Sequence, residues 1–207
     1  MRLYDITPVV SERLAVWPGD TPASREVLLD IEAGDNLTLS TLRATVHLGA
    51  HADAPNHYGR GAAAIDACPL EPYLGRCRVL DVAVERGQRI PPRAVPHPVS
   101  APRVLLKTGT YPDPENFNED FAALSVELVD RLHEEGVILI GIDGPSVDLF
   151  DSKELPVHQA FLCHDMAILE GLVLRDVPAG EYELIALPLK LAGFDASPVR
   201  AVLRELP

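Results

Sequence analysis

The sequence predicts a sheet-rich α/β domain with few helices, on three observations. Several apolar runs have the length of strands, one segment carries a full set of helix start and stop signals, and 19 of the 207 residues are proline. That is roughly twice the usual share of proline, which shortens helices and favours strands, turns and ordered loops. In chain order, Glu26–Ile31 and Leu37–Val46 read as early strands. Cys77–Val84 and Arg103–Thr108 flank a segment rich in proline (Pro91, Pro92, Pro96, Pro98, Pro102) and read as strands able to join one sheet. The segment between them is therefore a surface connection and not a linker, and residues 1–207 are taken as a single domain. Ser125 is a good N-cap, Glu127 suits the first turn, Leu128, Val129 and Leu132 share a face and Gly136 stops the helix. Val137–Ile142 follows as a continuous apolar run, as for a strand covered on both faces. Leu184–Leu191 is similar, but Pro188 predicts an edge or bulged strand.

Composition excludes several function classes. Asp and Glu outnumber Lys and Arg 31 to 18, a formal charge of −13. That charge opposes nucleic acid, whose phosphates require clustered cations, and anionic membrane surfaces. Apolar residues at 47% and charged ones at 24% describe a soluble globular chain. The N-terminus lacks the apolar core of a secretory signal, and no apolar run approaches the ~18 residues of a membrane span. Three scattered cysteines, Cys68, Cys77 and Cys163, form neither a disulfide framework nor a metal clip, so free thiols in the cytoplasm are expected. Cys163 is read as a buried small hydrophobe.

Three of the seven histidines fall in His47-Leu-Gly-Ala-His51-Ala-Asp53-Ala-Pro-Asn-His57. All the spacings are even, so extended backbone turns His47, His51, Asp53 and His57 to one side. A flat strand is too long, however. Four residues cover ~13 Å, whereas two ligands of one tetrahedral metal stand ~3.5 Å apart. The chain must bend between His47 and His51, at Gly49 and Ala50. Imidazoles with a carboxylate and no thiolate suit zinc, manganese or iron(II) in a catalytic site. The alternative is three histidines separately hydrogen-bonded in a polar loop.

A second group contains His158, His164 and Glu170. His158 and His164 are six apart, a poor spacing for one metal. Glu170 lies between Ala-Ile-Leu and Gly-Leu-Val-Leu, where a carboxylate is costly unless paired or metal-bound, or it is an ordinary exposed residue at an element end. Asp143, Ser146 and Asp148 read as a hydrogen-bonded turn after a strand, and Lys107 is a weak candidate partner for a substrate carboxylate.

These residues resemble the cyclase-like family of metal-dependent amidohydrolases, whose fingerprint is H-x-G-T-H-x-D-x-P-x-H, with Ala50 here in place of the threonine. The resemblance runs through Leu3-Tyr-Asp-Ile-Thr, Val16-Trp-Pro-Gly-Asp, Ile140-Gly-Ile-Asp-Gly-Pro-Ser-Val-Asp, Met166-Ala-Ile-Leu-Glu-Gly and Ala186-Leu-Pro-Leu-Lys to Ser197-Pro-Val-Arg-Ala. Within the family it is strongest to the bacterial arylformamidases, which hydrolyse N-formyl-L-kynurenine in tryptophan breakdown. The resemblance implies a swivelling β/β/α fold, a homodimer or larger assembly, and two divalent ions per chain, zinc or else manganese. His47, His51 and Asp53 would hold the first ion; Asp53, His158 and Glu170 the second, with Glu170 near both. His57 would be the catalytic acid/base and Trp17 a substrate-binding wall, while His164 stays structural. A divalent ion activates water and polarises a carbonyl, and a histidine near neutrality can move the proton to the leaving nitrogen. The alternatives carried with this are a relative acting on other cyclic or aryl amides, such as an isatin hydrolase, and a non-catalytic metal- or ligand-binding module.

Overall fold

Side-chain alternation along strands organises this chain, and a computed structural model describes it for residues 1–206. The elements in order are β1 (Leu3–Asp5), β2 (Ser24–Leu29), β3 (Leu39–Arg43), β4 (His51–Asp53), β5 (Leu74–Asp81), β6 (Arg89–Ile90), β7 (Arg103–Lys107), β8 (Ala123–Leu124), α1 (Val126–Glu134), β9 (Leu139–Ile142), α2 (Pro156–His164), β10 (Ala167–Glu170), β11 (Gly180–Ile185), β12 (Ala196–Pro198) and β13 (Val202–Glu205). Nine strands form one sheet in the order β1-β13-β11-β5-β7-β9-β10-β4-β12. Its centre, β5 to β10, is parallel, and both flanks are antiparallel. The sheet-rich α/β expectation holds.

The two sheet faces have different covers. Val104, Leu106, Ile140, Ile142 and Ile168 pack with Leu128, Val129 and Leu132 of α1 and Val157, Ala160 and Phe161 of α2. The alternate residues Leu105, Leu139 and Leu169 point the other way, into a cluster that also takes Ala52, Val79, Leu184 and Leu203. Strands from both flanks meet in that second cluster, so the sheet is curled around it. Burial on both faces explains why the parallel strands read as unbroken apolar runs.

Most of the expected elements are present. Ser125 caps α1, its Oγ accepting the Leu128 N–H at 3.2 Å, and Gly136 follows with φ +85°. The strands flanking the proline-rich segment are parallel neighbours, Arg78 opposite Val104 through Asp81 opposite Lys107. The two early segments are strands as expected, β2 and β3, and pair with each other in a separate ribbon outside the large sheet. One expectation needs correction. The last apolar run is misplaced: β11 ends at Ile185, before Pro188, and sits inside the sheet between β13 and β5. Register with both neighbours fixes β11, while Leu187 and Leu189 beyond it are exposed.

Candidate metal centre

The site forms where antiparallel β4 meets the last parallel strand, β10. Their register sets Glu170 directly opposite His51 and Ile168 opposite Asp53. Along β4 the alternation is strict: Ala50, Ala52 and Ala54 enter the core while His51 and Asp53 face the other way. The bend required of the motif is at Gly49, in the left-handed region with φ +57°. It brings the His47 and His51 ring centres to 5.1 Å. A Cβ at Gly49 would meet Pro8 Cγ at 2.8 Å, and one at Gly171 would meet the Gly49 carbonyl oxygen at 2.1 Å. Two glycines therefore let the two donor-bearing segments pack back to back.

From the sheet's helix-covered side, α2 delivers His158. Asp148 fixes it, accepting from the backbone N–H of Val157 and His158 and pairing with His158 Nδ1 at 2.9 Å. Arg89 holds the other Asp148 oxygen at 3.1 Å. His51 is held similarly, with Nδ1 at 2.8 Å from the Gly49 carbonyl. In both rings Nε2 is thereby aimed into the site.

The five expected ligands, His47, His51, Asp53, His158 and Glu170, thus converge. Asp53 Oδ1 lies 3.1 Å from His47 Nδ1 and 3.4 Å from His51 Nε2, while Asp53 Oδ2 lies 3.6 Å from His158 Nε2. Glu170 Oε2 is 3.2 Å from His51 Nε2, and Oε1 is 3.8 Å from His158 Nε2. Each carboxylate therefore turns one oxygen toward His51 and the other toward His158. Despite this crowding, His51 Nε2 and both Asp53 oxygens are buried without a hydrogen-bond partner. Orphaned donors spaced like ligands fit divalent ions, since polar atoms are not buried unpaired without reason.

Electrostatics agree with that fit. Burial alone would lower the His47 pKa, but Asp53, Asp195 and the Glu170 charge carry it up to about 9. Burial opposes charge at His158 too, yet Asp148, Asp53 and Glu170 raise it to about 10. Asp53 stays well below the ordinary carboxylate range, its burial outweighed by His158, His47 and His51. The acids hold positive charge in the site, as protons or as metal.

His57 sits beside the cluster, its ring centre 4.3 Å from His47 and 6.0 Å from His158, with a third of the side chain exposed. Burial, with the positive charge of His47 and His158, outweighs the nearby acids and depresses its pKa. His57 also stands with Asp53 and His158, and with His47 and Asp195, at distances that could hold a metal. Trp17 lines a cavity of about 810 Å³ that reaches His47, His51, His158 and Glu170, a volume suited to a small molecule. Phe117, Phe121 and Phe150 surround it at 5.0–6.1 Å. His164 lies outside the cluster, bonded to Asp130 at 2.7 Å and stacked on His133. Lys107 does not serve a ligand: it pairs with Asp81 at 2.6 Å and donates to the Val177 carbonyl. Cys163 is exposed, because α2 buries Val157, Ala160 and Phe161 and turns position 163 outward.

Two residues that contact the cluster carry no sign of it in the sequence. Asp195 binds His47 Nε2 at 3.0 Å and lies 3.6 Å from His57 Nδ1, although 148 residues separate it from His47. Asp148 was visible as a turn residue but not as the support of His158.

Comparison with known proteins agrees with this geometry. The chain is 47% identical over 207 residues to the kynurenine formamidase of Bordetella petrii, covering 99% of both. It superposes on the structure of a potential metal-dependent hydrolase with cyclase activity at a TM-score of 0.86 and 28% identity, covering 100% of this chain and 99% of that one. An isatin hydrolase bound to thioisatinate gives a TM-score of 0.83 at 18% identity, covering 97% and 91%, a likeness of fold alone. The Cyclase family model matches residues 4–149, and the chain belongs to that family.

Proposed function

We propose that this protein is a metal-dependent amidohydrolase that converts N-formyl-L-kynurenine to L-kynurenine and formate. The observation that carries it is the convergence of five orphaned or paired donors at the end of an aromatic-lined cavity, in a chain 47% identical to a kynurenine formamidase. His47, His51 and Asp53 would hold one divalent ion, and Asp53, His158 and Glu170 a second, zinc being the expected metal. Such ions lower the pKa of water and polarise the formyl carbonyl. His57, kept neutral by burial, takes a proton from the attacking water and returns it to the departing aniline nitrogen. Asp195, facing His57 Nδ1, orients the ring. Trp17 supplies an apolar wall for the aryl group.

The same proposal takes residues 1–207 as one domain and places the enzyme in the cytoplasm, where three unpaired cysteines are at home. Among the described residues no helix is long and apolar enough to cross a membrane. Val27, Leu28, Leu39 and Leu42 of the β2–β3 ribbon are exposed, and a homodimer contact would cover them.

Offering N-formyl-L-kynurenine and isatin to one preparation tests the substrate. Faster formate release than isatin opening supports the proposal; the reverse order favours an isatin hydrolase, and no turnover of either favours a binding module. His57→Ala should keep its metal and lose about 10²–10⁴-fold in kcat, whereas loss of metal would make His57 a ligand.

A further inference from the structure

The donor cluster can engage a formamide, but the rest of a ligand must be recognised elsewhere in the cavity. Beyond the cluster the lining is mainly apolar and aromatic, and just three other charged side chains line it: Asp20, Asp143 and Arg175. Asp143 is already committed, accepting from Thr108 N–H, Thr108 Oγ1 and Gly109 N–H at 2.6–2.9 Å. One acid and one base remain. Asp20 stands on the turn that carries Trp17, its N–H bonded to the Trp17 carbonyl at 2.9 Å. One of its carboxylate oxygens accepts the Thr21 N–H at 2.7 Å, and among the described residues the other has no partner.

Arg175 ends a run, Gly171–Arg175, in which every residue lines the cavity. The run starts beside Glu170 in the donor cluster, and five residues span at most about 17 Å. The guanidinium and the cluster therefore border the same cavity. Among the described residues Arg175 has no hydrogen bond, and its ion pair, 3.9 Å to Asp176, joins side chains 67% and 92% exposed. A surface pair of that kind binds little, which leaves the guanidinium donors available.

We propose that Arg175 and Asp20 form a subsite for the amino-acid end of a zwitterionic substrate. The guanidinium takes the α-carboxylate through paired N–H donors, and Asp20 takes the α-ammonium. The formamide then sits at the donor cluster, with the aryl ring against Trp17 between the two ends. This subsite rests on the formamidase proposal and deepens it: N-formyl-L-kynurenine carries such a tail, whereas simple aryl formamides and isatin do not.

The test compares kcat/KM for N-formyl-L-kynurenine with that for 2-formamidoacetophenone, which keeps the aryl formamide and ketone but lacks the amino-acid tail. The wild-type chain should prefer the tailed substrate. Arg175→Gln should reduce that preference about tenfold or more, mainly through KM, as for losing hydrogen bonds to a charged group. Arg175→Lys should restore part of it, and Asp20→Asn should give a smaller loss. Equal use of both substrates by the wild type, or an unchanged preference in Arg175→Gln, overturns the subsite while leaving the formamidase proposal standing. Formate from neither substrate overturns the formamidase proposal and the subsite with it.

Discussion

The two halves of the donor cluster are built by different means. His47, His51 and Asp53 lie within seven residues, and local geometry arranges them: a left-handed Gly49 makes the bend, and inward alanines leave His51 and Asp53 on the opposite face. His158 and Glu170 come from α2 and β10, and meet the first half through sheet register and the Asp148 bracket. The first half is close in sequence and shaped by a local bend; the second exists once the sheet has assembled. Asp53 and Glu170 join them, each with an oxygen toward either side.

Substitutions that strike the junction should therefore exceed those that strike one half. Asp53→Ala removes a donor from both halves, and elemental analysis should find neither ion retained, with formate release at background. Gly171→Ala attacks the packing between the halves, since its Cβ would lie 2.1 Å from the Gly49 carbonyl. A fall in Tm of roughly 4–8 °C is expected, from about 2 kcal/mol of strain. Gly193→Ala is the control, because Gly193 also has positive φ but nothing within 4 Å of an added Cβ, and it should lose clearly less. Equal losses would remove the back-to-back packing from the account.

Asp148→Asn strikes the second half alone. It should weaken retention of one ion and lower activity about 10–100-fold, with the other ion still bound at stoichiometric load. The smallest effect is on pH dependence. In the metal-free chain His47 and His158 titrate near 9 and 10, above the unfolded value of 6.5. Folding therefore takes up protons, and the stability this gives is complete below pH 6.5 and lost as pH rises through 9 to 10. A bound ion replaces those protons. The Tm difference between metal-loaded and metal-free protein should widen from pH 6.5 to 9, and a constant difference would contradict the assigned charge states.

What was legible in the sequence follows the same division. The His47–His57 motif displayed its own even spacing and its need for a bend, because both are local. Ser125, Gly136 and the apolar run after them fixed α1 and β9 for the same reason. Glu170 was noticeable by its apolar neighbours and by the family resemblance; its place opposite His51 depends on a strand register that no local pattern encodes. Asp195 and Arg175 gave no signal, since an isolated charged residue in a loop looks solvated until the fold turns it toward a site. β11 was misplaced because Leu187 and Leu189 are as apolar as the strand before them, and pairing partners, not hydropathy, set its end.

The most direct test of the central claim is to count the metal in purified protein and assay formate release from N-formyl-L-kynurenine on the same sample, before and after chelation. The account predicts about two divalent ions per chain, loss of turnover as they are removed, and recovery when zinc is restored. Full turnover in protein stripped of metal would contradict it.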